Sequence, residues 1–173
     1  ASTLPLSQIA KRRGNILYIT THLPDYDASS GGKRATRLLS LLAEEFDVYV
    51  LSLGERPAKY VQKLRAHGIA VLETDRIEVA KRELSTLKTI ICSVFGTFPE
   101  GQQLKKYYPT AKLIIDTVDV HWVREERSIG VIENLTQKQV QQNKNRELAA
   151  YQQADEIWAV TTEDKQAILK ELP

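Results

Sequence analysis

Apolar positions along the chain follow two alternating periods. Short runs rich in β-branched and aromatic residues recur at 15–22, 48–53, 69–72, 89–95, 112–116 and 156–160. Runs of that length and composition read as strands buried on both faces. Valine 120 marks the furthest extent expected of the fifth run. Between the runs, apolar residues fall at helical spacing. Ala35, Leu38, Leu39, Leu42 and Phe46 stand at i, i+3, i+4, i+7 and i+11, so 33–46 predicts a helix with one apolar face. Pro57 opens a second helix, in which Ala58, Val61 and Leu64 face the core and which Gly68 stops. A weakly amphipathic segment at 76–87, a short one at 99–108 and a long polar one at 135–153 follow. A closing helix at 162–172 has a threonine at its start.

Strand and helix thus alternate about six times. The fold class expected is α/β: a doubly wound, mainly parallel Rossmann-like sheet of about six strands with helices on both faces. Right-handed crossovers favour the strand order 3-2-1-4-5-6. Ligands in such sheets bind beyond the carboxyl ends of the strands, where the order reverses between strands one and four. That directs attention to the loops at 22–32, 96–101 and 117–129. Residues 1–14 read as a leader or linker ahead of a single domain at 15–173.

Composition narrows the function. With 42% hydrophobic and 27% charged residues in 173, the chain can build a core and is not a disordered segment. Twenty-four basic against 22 acidic residues is too even a balance for a dedicated nucleic-acid binder, so no nucleic-acid partner is expected. A lone cysteine, Cys92, excludes a disulfide framework and a cysteine-based zinc site. Three scattered histidines argue against a preformed histidine site. No metal is expected. No apolar run approaches the ~20 residues of a membrane span. The chain holds no methionine, which reads as a processed or excised piece of a longer protein.

Two segments carry candidate chemistry. In the first, Ser29, Ser30, Gly31 and Gly32 precede the expected helix and Lys33 and Arg34 open it. Exposed amides, hydroxyls, cations and the helix dipole suit a phosphate or a polyhydroxylated ligand. The spacing is neither GxGxxG nor a Walker loop, and a flexible glycine turn is the alternative. In the second, Asp116 and Asp119 end the fifth strand and His121, Trp122, Arg124 and Arg127 follow. Carboxylates and an imidazole there suit hydrogen bonding to sugar hydroxyls, or general-base work. The alternative is that the aspartates cap amides and the arginines pair with Glu125, Glu126 or Glu147. His22 ends the first strand and is placed to share this mouth, whereas His67 beside Gly68 reads as a surface residue. Lys105, Lys106, Tyr107 and Tyr108, with Lys11, Arg12 and Arg13, match either an anionic-membrane contact or a solvated helix end. Cys92 reads as a small buried residue. The sequon at Asn134 reads as a chance match.

Three stretches resemble a known family. Ile16-Leu17-Tyr18-Ile19, then Pro24-Asp25, Gly31-Gly32 and the run 34–42, resemble the first strand, loop and helix of GT-B glycosyltransferases, in particular the retaining family 4-like group. Residues 115–127 resemble that group's fifth-strand motif. Glu147-Leu148, the run 154–161 and Glu163 resemble the stretch closing its N-terminal domain. The likeness spans 15–173.

The resemblance implies an acceptor-side half of an enzyme that moves a sugar from a nucleotide-sugar donor to a glycan, lipid or other acceptor. Asp119 and His121 would take the catalytic or sugar-contacting role, one or the other. Ser29, Ser30, Gly31, Gly32, Lys33, Arg34, Trp122 and Arg124 would bind substrate. The implied partners are a C-terminal GT-B donor domain, in the same or another chain, and a sugar or lipid-linked acceptor. The isolated domain would be inactive. The nucleotide-sugar would be co-substrate, without a cofactor. The implied setting is cytoplasmic, with peripheral contact at the inner face of the membrane, in cell-envelope polysaccharide synthesis. Relatives carry a histidine where Val118 stands. Glu125 and Glu133 match the donor-side E-x7-E spacing by number only, because they precede the sixth strand. Two competing readings remain. A non-catalytic, degenerate receiver-like module would use Asp25 and Asp75, but Asp116 ends the fifth strand where a receiver has lysine. A nicotinamide enzyme would need closer-spaced glycines.

Overall fold

The computed structural model describes residues 13–133 and 135–172. Among them, β1 (Asn15–Thr20), β2 (Asp47–Ser52), β3 (Ala70–Val71), β4 (Thr89–Ser93), β5 (Lys112–Asp116) and β6 (Glu156–Trp158) form one sheet. Its order is β3-β2-β1-β4-β5-β6 and every pairing is parallel. The helices are α1 (Ser30–Leu42), α2 (Ala58–Ala66), α3 (Ile77–Glu83), α4 (Phe98–Tyr107), α5 (His121–Ser128), α6 (Gln137–Gln153) and α7 (Thr162–Glu171). This is the Rossmann-like, doubly wound α/β arrangement that the alternation predicts.

Side chains along β1 divide the core in two. Ile16 and Tyr18 face Ala35 and Leu39 of α1 and Leu64 of α2. Leu17 and Ile19 face the opposite layer, built from Ala80 of α3, Phe98 and Leu104 of α4, Trp122 of α5, Tyr151 of α6 and Ile168 of α7. Burial from both sides is why the strands read as unbroken apolar runs. Leu39 is fully buried, and truncating such a side chain to alanine costs about 2–5 kcal/mol, so the α1 stripe holds that helix on the sheet. α4 lies so close that a Cβ at Gly101 would stand 2.3 Å from the Cys92 sulfur. Cys92 is itself buried, as its strand position predicts, and burial pushes its thiol up to about 12.

Several elements depart from expectation. α1 begins three residues before position 33, because the Ser29 hydroxyl caps it by accepting from Gly32 N at 2.9 Å. Gly31 and Gly32 therefore lie in the first helical turn, not in the loop ahead of it. β5 stops at Asp116 and does not run on to Val120. Residues 121–128, expected within a loop, form α5. Its first amides are capped from α6, a tertiary contact with no local sequence signature. Ala58 is exposed, so Leu64 with the half-buried Val61 and Tyr60 anchors α2. His67 is exposed and precedes Gly68 at φ +74°. Lys11, Arg12 and Asn134, and most of the 1–14 leader, lie outside the described residues. Among the described residues no helix is long and apolar enough to cross a membrane.

Candidate functional site

β1 and β4 lie side by side, and the chain leaves them in opposite directions. A hollow of about 300 Å³ opens at their carboxyl ends. Tyr18, Thr20 and His22 supply one wall, and Asp25, Ser29, Gly31 and Gly32 a second. Ser93 and Val94 close the β4 side, and Val118 arrives from beyond β5. A larger groove of about 990 Å³ runs along β6 and α7, lined mainly by apolar side chains such as Ile157, Val160, Ile168 and Leu169. Polar groups of the β1 and β4 ends and of the loop before α1 converge in the smaller hollow, which makes it the stronger candidate.

The loop before α1 is bonded to itself. The Asp25 carbonyl accepts from the amides of Ala28 and Ser29 at 3.0 and 3.3 Å, and its carboxylate accepts from the Ser29 hydroxyl. Gly32 is sterically required, since a Cβ would fall 2.0 Å from Asp25 Oδ1 and 2.6 Å from its carbonyl oxygen. Gly31 has room, with Val118 Cγ1 3.5 Å from its Cβ position. The glycine loop is therefore a built turn and not a slack one. Ser30 and Lys33 point to solvent. Arg34 is committed elsewhere: its Nη1 donates to Asp116 Oδ2 at 2.8 Å, and Asp116 is fully buried. The expectation of Arg34 as a substrate cation thus meets an arginine that ties α1 to β5.

Strain collects at the hollow. Val94 (φ +63°, ψ 158°) and Val118 (φ +59°) are the non-glycine residues at positive φ among those described. Each is β-branched, and such a conformation costs about 1–3 kcal/mol. At Val118 the amide of Asp119 donates to the Thr117 carbonyl at 2.6 Å, closing a three-residue turn that ends β5. At Val94 the amide donates to the Asp116 carbonyl at 2.8 Å, and the Thr97 hydroxyl secures the turn that follows. The Tyr18 hydroxyl and Asp116 Oδ1 are buried without hydrogen-bond partners. Burial, and then the Asp116 charge, push the Tyr18 phenol pKa up, so it stays a donor. Each unmet group costs about 1–3 kcal/mol, and Tyr18 lines the hollow.

Asp119, His121 and Arg124 form a second cluster next door. Arg124 Nη1 donates to Asp119 Oδ2 at 2.6 Å. His121 Nε2 stands 3.5 Å from Asp119 Oδ1, and its Nδ1 3.7 Å from Glu147 Oε1. The imidazole meets the Phe95 ring edge-on at 5.3 Å. Its pKa is raised, chiefly by Glu147 and further by Asp119, against the opposing effect of burial. Trp122, expected to bind substrate, is only 2% exposed and packs against Tyr151 at 5.9 Å, so it is a core residue. The two clusters adjoin through the chain. Val118 walls the hollow and precedes Asp119, while Val94 walls it and precedes Phe95, which touches His121. The histidine lining the hollow itself is His22.

Other candidates resolve into structural roles. Lys105 pairs with Asp155 and donates to the Ala111 carbonyl. The Tyr108 hydroxyl lies between the Lys81 and Leu84 carbonyls. β2 stands between β1 and β3, so Asp25 and Asp75 do not meet in a receiver-type pocket. Among the described residues no group of three or more His, Cys, Asp or Glu is placed to hold a metal ion. The hollow's Tyr18, Thr20 and Ser93 were hidden in strands, and positive φ at Val94 and Val118 leaves no mark in sequence. Glu147 did leave one: it falls on the same helical face as Val140 and Tyr151, at i+7 and i+11. No family model, curated protein or solved structure matches the chain.

Proposed function

We propose that this chain is the acceptor-side lobe of a retaining, GT-B-type glycosyltransferase. The observation that carries the reading is the hollow at the reversal of strand order, walled by the α1 N-terminus and two strained valines and adjoining Asp119, His121 and Arg124. The resemblance of 16–42, 115–127 and 147–163 to family 4-like enzymes supports the same reading. In this account the amide of Gly31 and the Tyr18 hydroxyl donate to oxygen atoms of a sugar or phosphate, and the Ser29 and Thr20 oxygens, whose own protons go to Asp25 and the His22 carbonyl, accept from sugar hydroxyls. His121 and Asp119 contact hydroxyls at the rim. A donor lobe closing over this surface excludes water from the activated sugar. Cations and helix dipoles of that lobe stabilise the departing nucleoside diphosphate. The lipid-linked acceptor and the inner face of the cytoplasmic membrane belong to the proposal.

Transfer of radiolabelled sugar from UDP-glucose, UDP-N-acetylglucosamine or GDP-mannose to polyprenyl-diphosphate-linked sugars tests it. Residues 1–173 alone are expected to transfer nothing, and the protein carrying a donor lobe is expected to transfer. Detectable transfer by 1–173 alone refutes the division of labour. Acceptor binding without transfer in the presence of the donor lobe favours a non-catalytic binding module.

A further inference from the structure

Glu147, which faces His121 from α6, has unusual surroundings of its own. It lies on α6, is 0% exposed, and its carboxylate collects three donors. Oε1 accepts from the His121 amide at 3.1 Å and from the Tyr151 hydroxyl at 2.6 Å, and Oε2 accepts from the Trp122 amide at 3.2 Å. A carboxylate costs several kcal/mol to bury, and a neutral side chain could pack this face of α6 without that cost. A cap for α5 accounts for the two amide contacts, since the first amides of a helix need acceptors. It does not explain the imidazole.

The His121 ring has both nitrogens facing carboxylates. Nδ1 is buried, has no hydrogen-bond partner and stands 3.7 Å from Glu147 Oε1. Nε2 stands 3.5 Å from Asp119 Oδ1, which is itself held by Arg124. Phe95 blocks a ring face edge-on. The groups facing the ring are therefore Glu147 and Tyr151 from α6, Asp119 from the turn after β5, and Arg124 from α5 itself. The carboxylates outweigh the lone arginine, which is mostly solvent-exposed.

We infer that Glu147 is a positioning residue for His121: its buried carboxylate, anchored by Tyr151 and the α5 amides, stands against Nδ1, leaves Nε2 on the Asp119 side at the rim, and holds a proton on the ring for donation to a ligand oxygen. This deepens the proposed function and rests on it, because the ligand oxygen is taken to be that of the acceptor or the transferred sugar. A ring kept charged at neutral pH donates to a sugar hydroxyl or phosphate more strongly than a neutral one. The same clamp makes the α5 N-terminus, the rim of the site, rigid against α6.

The test is a pH titration of the histidine side chains by NMR, with His121→Asn to assign the resonance. In the unaltered chain His121 is expected to titrate above the ordinary imidazole value. Glu147→Gln keeps shape and an acceptor but removes the charge; it is expected to lower the His121 protonation constant about tenfold, a drop of about one pH unit. His22 and His67 are expected to stay where they are. Tyr151→Phe, which keeps the charge, is expected to leave His121 titrating high. A His121 value unmoved by Glu147→Gln overturns the inference, as does an unaltered chain in which His121 titrates at or below the ordinary value. Should Glu147→Gln not fold, Glu147→Asp withdraws the charge by one methylene, and a partial drop supports the inference while none overturns it. The titration needs no substrate, so its failure leaves sugar transfer standing, and failure of sugar transfer leaves the titration readable.

Discussion

Replacing Arg34 with methionine isolates the pair that ties α1 to β5. Asp116 is fully buried, and the bond from Arg34 at 2.8 Å is the one seen on its carboxylate among the described residues. Methionine keeps much of the stem packing and removes the charge. Breaking a buried pair from one side costs about 3–5 kcal/mol. The Arg34 side chain is 32% exposed, so water can follow the lost guanidinium, and a cost below that range applies: about 2–3 kcal/mol. For a chain of this length each kcal/mol moves Tm by about 2–4 °C, so a fall of about 4–12 °C is expected. Asp116→Asn in the same chain removes the stranded charge and is expected to restore most of the loss. A double-mutant cycle by urea denaturation reads the coupling, expected at about 2 kcal/mol. If Arg34→Met alters ligand binding but moves Tm by less than about 1 °C, Arg34 is a free ligand cation and the structural assignment is wrong.

Gly32→Ala forces a Cβ against the Asp25 backbone and is expected to destabilise by about 2 kcal/mol or more, whereas Gly31→Ala is expected within about 0.5 kcal/mol of the original; equal midpoints for the two would contradict the described turn. Val94→Gly releases backbone strain and is expected to leave stability unchanged or raise it by about 1 kcal/mol, while Val123→Gly, half-buried within α5, loses at least about 1 kcal/mol; both are read from denaturation midpoints. His121 has a pKa raised above 6.5, so its contribution to stability is complete below about pH 6.5 and is lost as pH rises through the folded-state value. The His121 side chain is 22% exposed and its partner Asp119 39%, so solvent screens part of the effect, which is expected at about 1 kcal/mol or below; the stability difference between the chain and His121→Asn should shrink from pH 6 to pH 9, and a difference that grows would reverse the assigned direction.

The sheet was legible because period is a property of the chain itself. The continuous run at 15–22 and the 3.6-residue stripe through Ala35, Leu38, Leu39 and Leu42 need no tertiary information. Strand order was legible through the handedness of crossovers. Contacts made at a distance were not legible. α5 looked like a loop because its cap is Glu147, 26 residues on from His121. Arg34 looked like a ligand cation because its partner Asp116 is 82 residues away. Trp122 looked like a substrate-binding residue because burial cannot be told from exposure for one aromatic in a charged segment. Positive φ at Val94 and Val118 runs against residue preference, and such local rules tend to break where a site is built. The 22–32 loop was half legible: glycines just ahead of a helix start show in the sequence, but the capping that draws them into α1 depends on the geometry of Ser29 and Asp25.

The most direct test of the central claim follows backbone amide shifts while water-soluble, short-chain prenyl-diphosphate-sugar analogues and short oligosaccharides are titrated into the chain. The account predicts shifts concentrated at Thr20, His22, Ser29, Gly31, Val94 and the residues from Val118 to His121, and their loss in Gly32→Ala. Saturable shifts confined to the groove between β6 and α7, with the strand ends silent, would contradict it.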